Sequence, residues 1–161
     1  MNALSAEELL SWVERTSAGW RALLVAHPEV LDFPCDVREG RSARDLVHHI
    51  VAVELRYAQR LCGVKESAYE EIPKGAAESL YATHDRAMSM VRDLLARAEM
   101  DWEGILEFTT RSAGSFRTTR RTLLVHLLLH SIRHYAQLAT VARQGGVQPD
   151  WAMDYLFMGA R

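Results

Sequence analysis

Apolar residues recur along most of this chain three or four positions apart, the spacing of an amphipathic helix. The first such run opens at Ser5-Ala-Glu-Glu8, a capping box with serine at the N-cap and glutamate three residues on. Leu9, Trp12, Val13, Trp20, Leu23 and Leu24 share one face and predict a helix to about Ala26, before Pro28. Residues 28 to 41 hold two prolines, Asp32, Asp36 and Gly40, and read as a loop. A second helix is expected after Ser42, ending near Cys62 with Gly63 as its cap. A loop through Pro73 and Gly75 leads to a third helix over about Ala76 to Ala98, buried through Leu80, Ala87, Met88, Val91, Leu94 and Leu95.

The period changes between residues 104 and 119. Here β-branched and aromatic residues flank Ser112-Ala113-Gly114, which predicts a short β-hairpin with strands near 105–110 and 115–118. The fourth helix follows from about Thr119 to Gln144 and stops at Gly145-Gly146. The tail from Pro149 to Arg161 carries Trp151, Tyr155, Leu156 and Phe157, and so many apolar side chains predict that it packs back on the bundle. With no internal repeat or linker, residues 1–161 read as a single all-α domain, a four-helix bundle with one hairpin before its last helix.

Composition narrows the function classes. The chain has 161 residues, 48% hydrophobic and 25% charged, enough for a real core. Its net charge of -2 offers no broad basic field, so nucleic acid is not an expected partner. No apolar run reaches the roughly 20 residues that span a bilayer, and the acidic start, with Glu7 and Glu8, does not read as a signal peptide. A cytoplasmic location is expected. Cys35 and Cys62 lack metal or redox spacing and are expected as free thiols, with no neighbouring base to make either a nucleophile.

The candidate chemistry lies in histidine. His126, His130 and His134 stand four residues apart on the fourth helix, and steps of four advance only about 40° around it. On the helical wheel His126 falls among Arg133, Gln137 and Gln144, whereas His130 and His134 turn toward Leu123, Leu127 and Leu138. A histidine pair four apart can share one metal ion; a third ligand eight apart would stand about 12 Å along the axis. The missing ligand must come from elsewhere. His48-His49 on the second helix are candidates, and the wheel does not choose between them. Glu54 falls on the apolar side of that helix, where a lone carboxylate is costly. It is expected to orient a ligand histidine, to bind the metal itself, or to form a helix–helix ion pair with an arginine. His27 and His84 carry no pattern and read as ordinary residues.

These residues together resemble the DinB-like superfamily of metalloenzymes, related to the bacillithiol transferases and the mycothiol-dependent maleylpyruvate isomerases. The likeness covers nearly the whole chain. On the second helix the family shows a histidine with glutamate five positions on, matched by His49-Ile-Val-Ala-Val-Glu54. On the fourth it shows HxxxHRGQ, matched by His130-Ser-Ile-Arg-His134-Tyr-Ala-Gln137, with Tyr135-Ala136 replacing Arg-Gly. The resemblance implies an up-down-down-up bundle and a single divalent metal held by His49, His130 and His134, with Glu54 behind the ligands.

The expected cofactor is one divalent ion, zinc or nickel before iron or copper, since imidazole suits all four. The expected activity is that of a metal-dependent enzyme acting on a small molecule, first a transferase using a low-molecular-weight thiol as cosubstrate. A metal-dependent hydrolase and a non-catalytic, stress-related metal-binding bundle are the alternatives. His126 is then a candidate catalytic base or a residue at the mouth of the site. No membrane or nucleic-acid partner is expected, and a homodimer is, because family members often dimerise and Trp102, Trp151, Tyr155 and Phe157 lie in or near the connections.

Overall fold

The structure, a computed structural model, describes residues 4–37, 40–110 and 114–158. Four long helices dominate: α1 (Ala6–Ala26), α2 (Ala43–Leu61), α3 (Ala77–Leu95) and α4 (Arg120–Gln144). The capping boxes fix two of their starts. Ser5 and Glu8 exchange bonds at α1, and Ser42 and Asp45 do the same at α2. Thr119 caps α4 through its hydroxyl, which accepts from Thr122. The hairpin before α4 forms in the expected place, β3 (Ile105–Thr110) against β4 (Gly114–Thr119), with Phe108 opposite Phe116. Ser112 and Ala113 of its expected turn lie outside the described residues.

The segment expected as a loop over residues 28–41 holds more order than that. A 3₁₀ turn spans Pro28–Asp32, and β1 (Pro34–Val37) pairs antiparallel with β2 (Gly40–Ser42). The pair is too short and too polar to show a period of two, so proline and glycine were all the sequence displayed there.

Helices α2 and α3 run in the same direction, and α1 and α4 run opposite to both. Leu46, Val47 and Ile50 at the start of α2 pack with Ala77, Leu80 and Tyr81 at the start of α3, and with Leu24 and Leu138 near the ends of α1 and α4. At the other end Leu55 and Leu61 meet Met88, Val91 and Leu94, with Leu9, Val13, Leu124 and Leu127. In cross-section α1 touches α3 and α4, and α2 touches α3 and α4. This is the up-down-down-up order.

Two parallel neighbours need a connection that returns the length of a helix, about 28 Å for 19 residues. Residues 62–76 make that return along α2 itself. Arg56 and Arg60 hold Glu66, and Gln59 exchanges two hydrogen bonds with Ser67. His48 then reaches the Ile72 carbonyl at 3.0 Å, and Arg44 donates to the Gly75 carbonyl at 2.6 Å. The connection is laced from the end of α2 back to its start.

The tail packs back in part. Trp151 stands edge-on to buried Trp20, and Trp12 Nε1–H donates to the Met153 carbonyl. Gly19 permits this, because a Cβ there would lie 2.3 Å from the Trp151 ring. Leu156, against expectation, remains 79% exposed. Among the described residues no helix is long and apolar enough to cross a membrane.

Leu127 is fully buried where α4 joins the lower core. Leu127→Ala should lower the free energy of unfolding by about 2–5 kcal/mol in urea titrations. A loss under about 1 kcal/mol would mean that the lower core is not packed as described.

Candidate functional site: a three-histidine centre between α2 and α4

At mid-height, between the two halves of the core, the bundle carries a polar seam. Its middle is Glu54, fully buried on α2. One carboxylate oxygen accepts from Ser131 Oγ of α4 at 2.7 Å, and the other meets His84 Nδ1 of α3 at 2.7 Å. The expected arginine partner is replaced by a histidine, and His84 is not an ordinary residue but half of a buried ion pair. Burial alone would lower the His84 pKa, yet the Glu54 charge and hydrogen bond outweigh it and raise the value above the usual 6.5. Glu54 acts on the site at one remove: it holds Ser131, the residue that follows His130.

The adjacent histidines of α2 divide between two tasks. His48 is buried, bonded to the return connection through Ile72 and set edge-on against Tyr69. Burial holds its pKa below 6.5. His49, about 100° further round the helix, faces α4. Its Nε2 lies 3.2 Å from Nε2 of His130, which lies 3.1 Å from Nε2 of His134. The three nitrogens all fall within 4.8 Å of one another. His130 and His134 are buried and His49 is half-buried.

Two observations fit this donor set to a divalent cation. Two imidazoles on one tetrahedral ion, with bonds of about 2.0–2.1 Å, place their nitrogens about 3.3 Å apart, close to the spacings here. The lone pairs also point the right way. Gln137 Oε1 sits 2.6 Å from His134 Nδ1, so that nitrogen carries the proton and donates it, and the lone pair lies on Nε2, on the side of the centre. His130 Nδ1, by contrast, is buried without a hydrogen-bond partner, so no acceptor behind the ring orients it as Gln137 orients His134. Burial, followed by the charges of its neighbours, pushes the His130 pKa down to about 2, so the ring stays neutral as a ligand must.

His126 stands outside the cluster. It is exposed, its ring centroid 5.5 Å from His130 and 5.8 Å from Tyr57, at the rim of the site. Desolvation by these ring contacts, then the charge of Arg133, holds its pKa below 6.5. Behind Tyr57 comes the hairpin, with Phe108 stacked on Phe116 and the Arg60 guanidinium 3.9 Å over Phe108. Gln137, matched in the family pattern without a role, proves to be the partner of His134 Nδ1, and Arg133 is a site residue that had no signal in the sequence. The Arg133 guanidinium donates to Nε2 of the next residue, His134, at 3.2 Å, reaching round the helix to a ring that the wheel places about 100° away.

The fold and site define a four-helix bundle of up-down-down-up order with an imidazole centre between its second and fourth helices. The chain belongs to the DinB family, whose model matches residues 1–159. It is also similar in structure to YfiT from Bacillus subtilis, described as a probable metal-dependent hydrolase with an unusual four-helix bundle topology. That likeness covers 92% of this chain and 93% of that one, with a TM-score of 0.60 at 16% sequence identity. No curated protein matches the chain.

The two buried histidines should titrate on opposite sides of the ordinary value. In an NMR titration the His84 ring should show its midpoint above pH 6.5 and the His48 ring below it. Because the folded His84 value is raised, its contribution to stability is complete below about pH 6.5 and is lost as pH climbs through the folded value. The reverse order of midpoints would refute the pairing with Glu54.

Proposed function

We propose that this protein is a divalent-metal-dependent enzyme acting on a small molecule, with the metal on His49, His130 and His134. The convergence of three Nε2 atoms, set between two helices from opposite sides of the sequence, carries this reading. Three neutral imidazoles leave a dication's charge uncompensated and part of its coordination open, which is the make-up of a catalytic site rather than of a structural one closed by four ligands. When bound, such an ion acts as a Lewis acid and makes a bound water or thiol a nucleophile at neutral pH. The protein's own residues hold the three lone pairs inward through Gln137 and packing, and keep two of the rings out of water. His126 and Tyr57 form the rim, where His126 is placed to exchange protons with solvent.

Hydrolysis is the reaction we favour. The description of YfiT as a probable metal-dependent hydrolase supports it. Neither Cys35 nor Cys62 lies among the residues that form the site, so a thiol would have to come from a cosubstrate. Thiol transfer is the competing outcome: turnover that appears only with thiol plus electrophile, and not with ester or amide substrates, would replace hydrolysis with transfer.

Untagged protein stripped of metal should bind about one equivalent of zinc or nickel per chain by calorimetry, with a matching rise in thermal stability. His130→Ala should abolish both signals. Gln137→Leu, which removes the acceptor for His134 Nδ1–H, should weaken binding about 10- to 100-fold. Wild-type protein without stoichiometric metal binding would overturn the proposal.

A further inference from the structure

Arg133 is the charged group nearest the centre, and its position is unusual. Its guanidinium donates to His134 Nε2, one of the three converging nitrogens. It has no carboxylate partner among the described residues, whereas Arg56 and Arg60, on α2 beyond His49, share Glu66. A cation held at the centre would take the lone pair on which Arg133 now rests, because Gln137 fixes the proton of His134 on Nδ1. The guanidinium would then lose its acceptor and be repelled by the ion. It is exposed, and its stem holds it at the rim of the centre with its donors unpaired. The rim also carries the aromatic faces of Tyr57 and His126, with Phe108 behind them.

We propose that Arg133 determines specificity by anchoring the carboxylate of a small organic substrate at the open side of the three-histidine centre, with the apolar remainder toward Tyr57 and His126. The planar fork of a guanidinium matches a carboxylate with two parallel N–H···O bonds. A phosphate dianion would call for a second uncommitted cation, and the two arginines beyond the site are committed to Glu66. The inference rests on the metal reading above and extends it to the substrate class.

The test is calorimetry on protein loaded with one equivalent of zinc, with benzoate, its neutral isostere benzamide, and inorganic phosphate as probes. Wild type should bind benzoate at least tenfold more tightly than benzamide or phosphate. Arg133→Gln should lose about tenfold or more of the benzoate affinity, and Arg133→Lys should recover only part of it, keeping the charge but not the fork. Zinc affinity of Arg133→Gln should equal or exceed that of wild type, since a competing donor and a repelling charge are gone. Benzoate affinity unchanged within twofold in Arg133→Gln overturns the anchor while leaving the metal reading intact. Tighter phosphate binding overturns the carboxylate assignment, and weaker zinc binding by Arg133→Gln would make Arg133 a support of the metal site instead. Failure of wild type to take up zinc overturns both readings.

Discussion

One buried carboxylate sets the geometry on which the site depends. Glu54 is inaccessible to solvent and takes one bond from α4 and one from α3. A charge so placed has no stable alternative to those partners, because removing either one strands it in low dielectric. Hydrophobic packing tolerates sliding of one helix along another, but two charge-assisted bonds at 2.7 Å do not. Ser131 is held to Glu54 beside the point where His130 and His49 reach toward each other across the two helices, their Nε2 atoms 3.2 Å apart. The heights of the three helices are thereby fixed just where nitrogen atoms must meet within a few tenths of an ångström.

The parallel pair of α2 and α3 has a second consequence. Their return connection must be paired along its length, because its backbone groups run against the bundle and need partners. Gln59, His48 and Arg44 pair in turn with its backbone at Ser67, Ile72 and Gly75, and Arg60 holds the side chain of Glu66. One face of α2 is therefore used for the connection, another for Glu54 and the core, and a third for His49. The adjacent histidines look equivalent on the chain, but the helix turns one toward the connection and the other toward α4.

This explains which parts of the molecule were legible beforehand. The helices were, because the capping box at Ser5, the serine before α2 and the glycines after Cys62 and Gln144 are local signals, and apolar period is a property of each helix alone. The pairing of His130 with His134 was also local, four residues on one face. His48 and His49 could not be told apart by the wheel, since the group that claims His48 is a carbonyl 24 residues away; the family resemblance selected His49. Glu54 announced that it needed a partner, but its partner is His84, 30 residues on in another helix and without a pattern of its own. The strand pair near residue 35 was hidden for a different reason: so short an element has too few positions to show alternation.

The electrostatics of the centre follow from the same division of labour. Two conserving choices were open to a bundle that gathers three imidazoles: to add a carboxylate or thiolate and neutralise an ion, or to leave it charged. The nearest buried carboxylate here is committed to the opposite side, to His84 and Ser131, and the nearest uncommitted ionic group is the cationic Arg133. Any dication bound by His49, His130 and His134 would therefore direct nearly its whole charge toward the rim. A fourth, anionic protein ligand would hold an ion more tightly and leave it less able to polarise a substrate. Such an arrangement would give up part of that affinity and keep the charge where a small molecule could meet it.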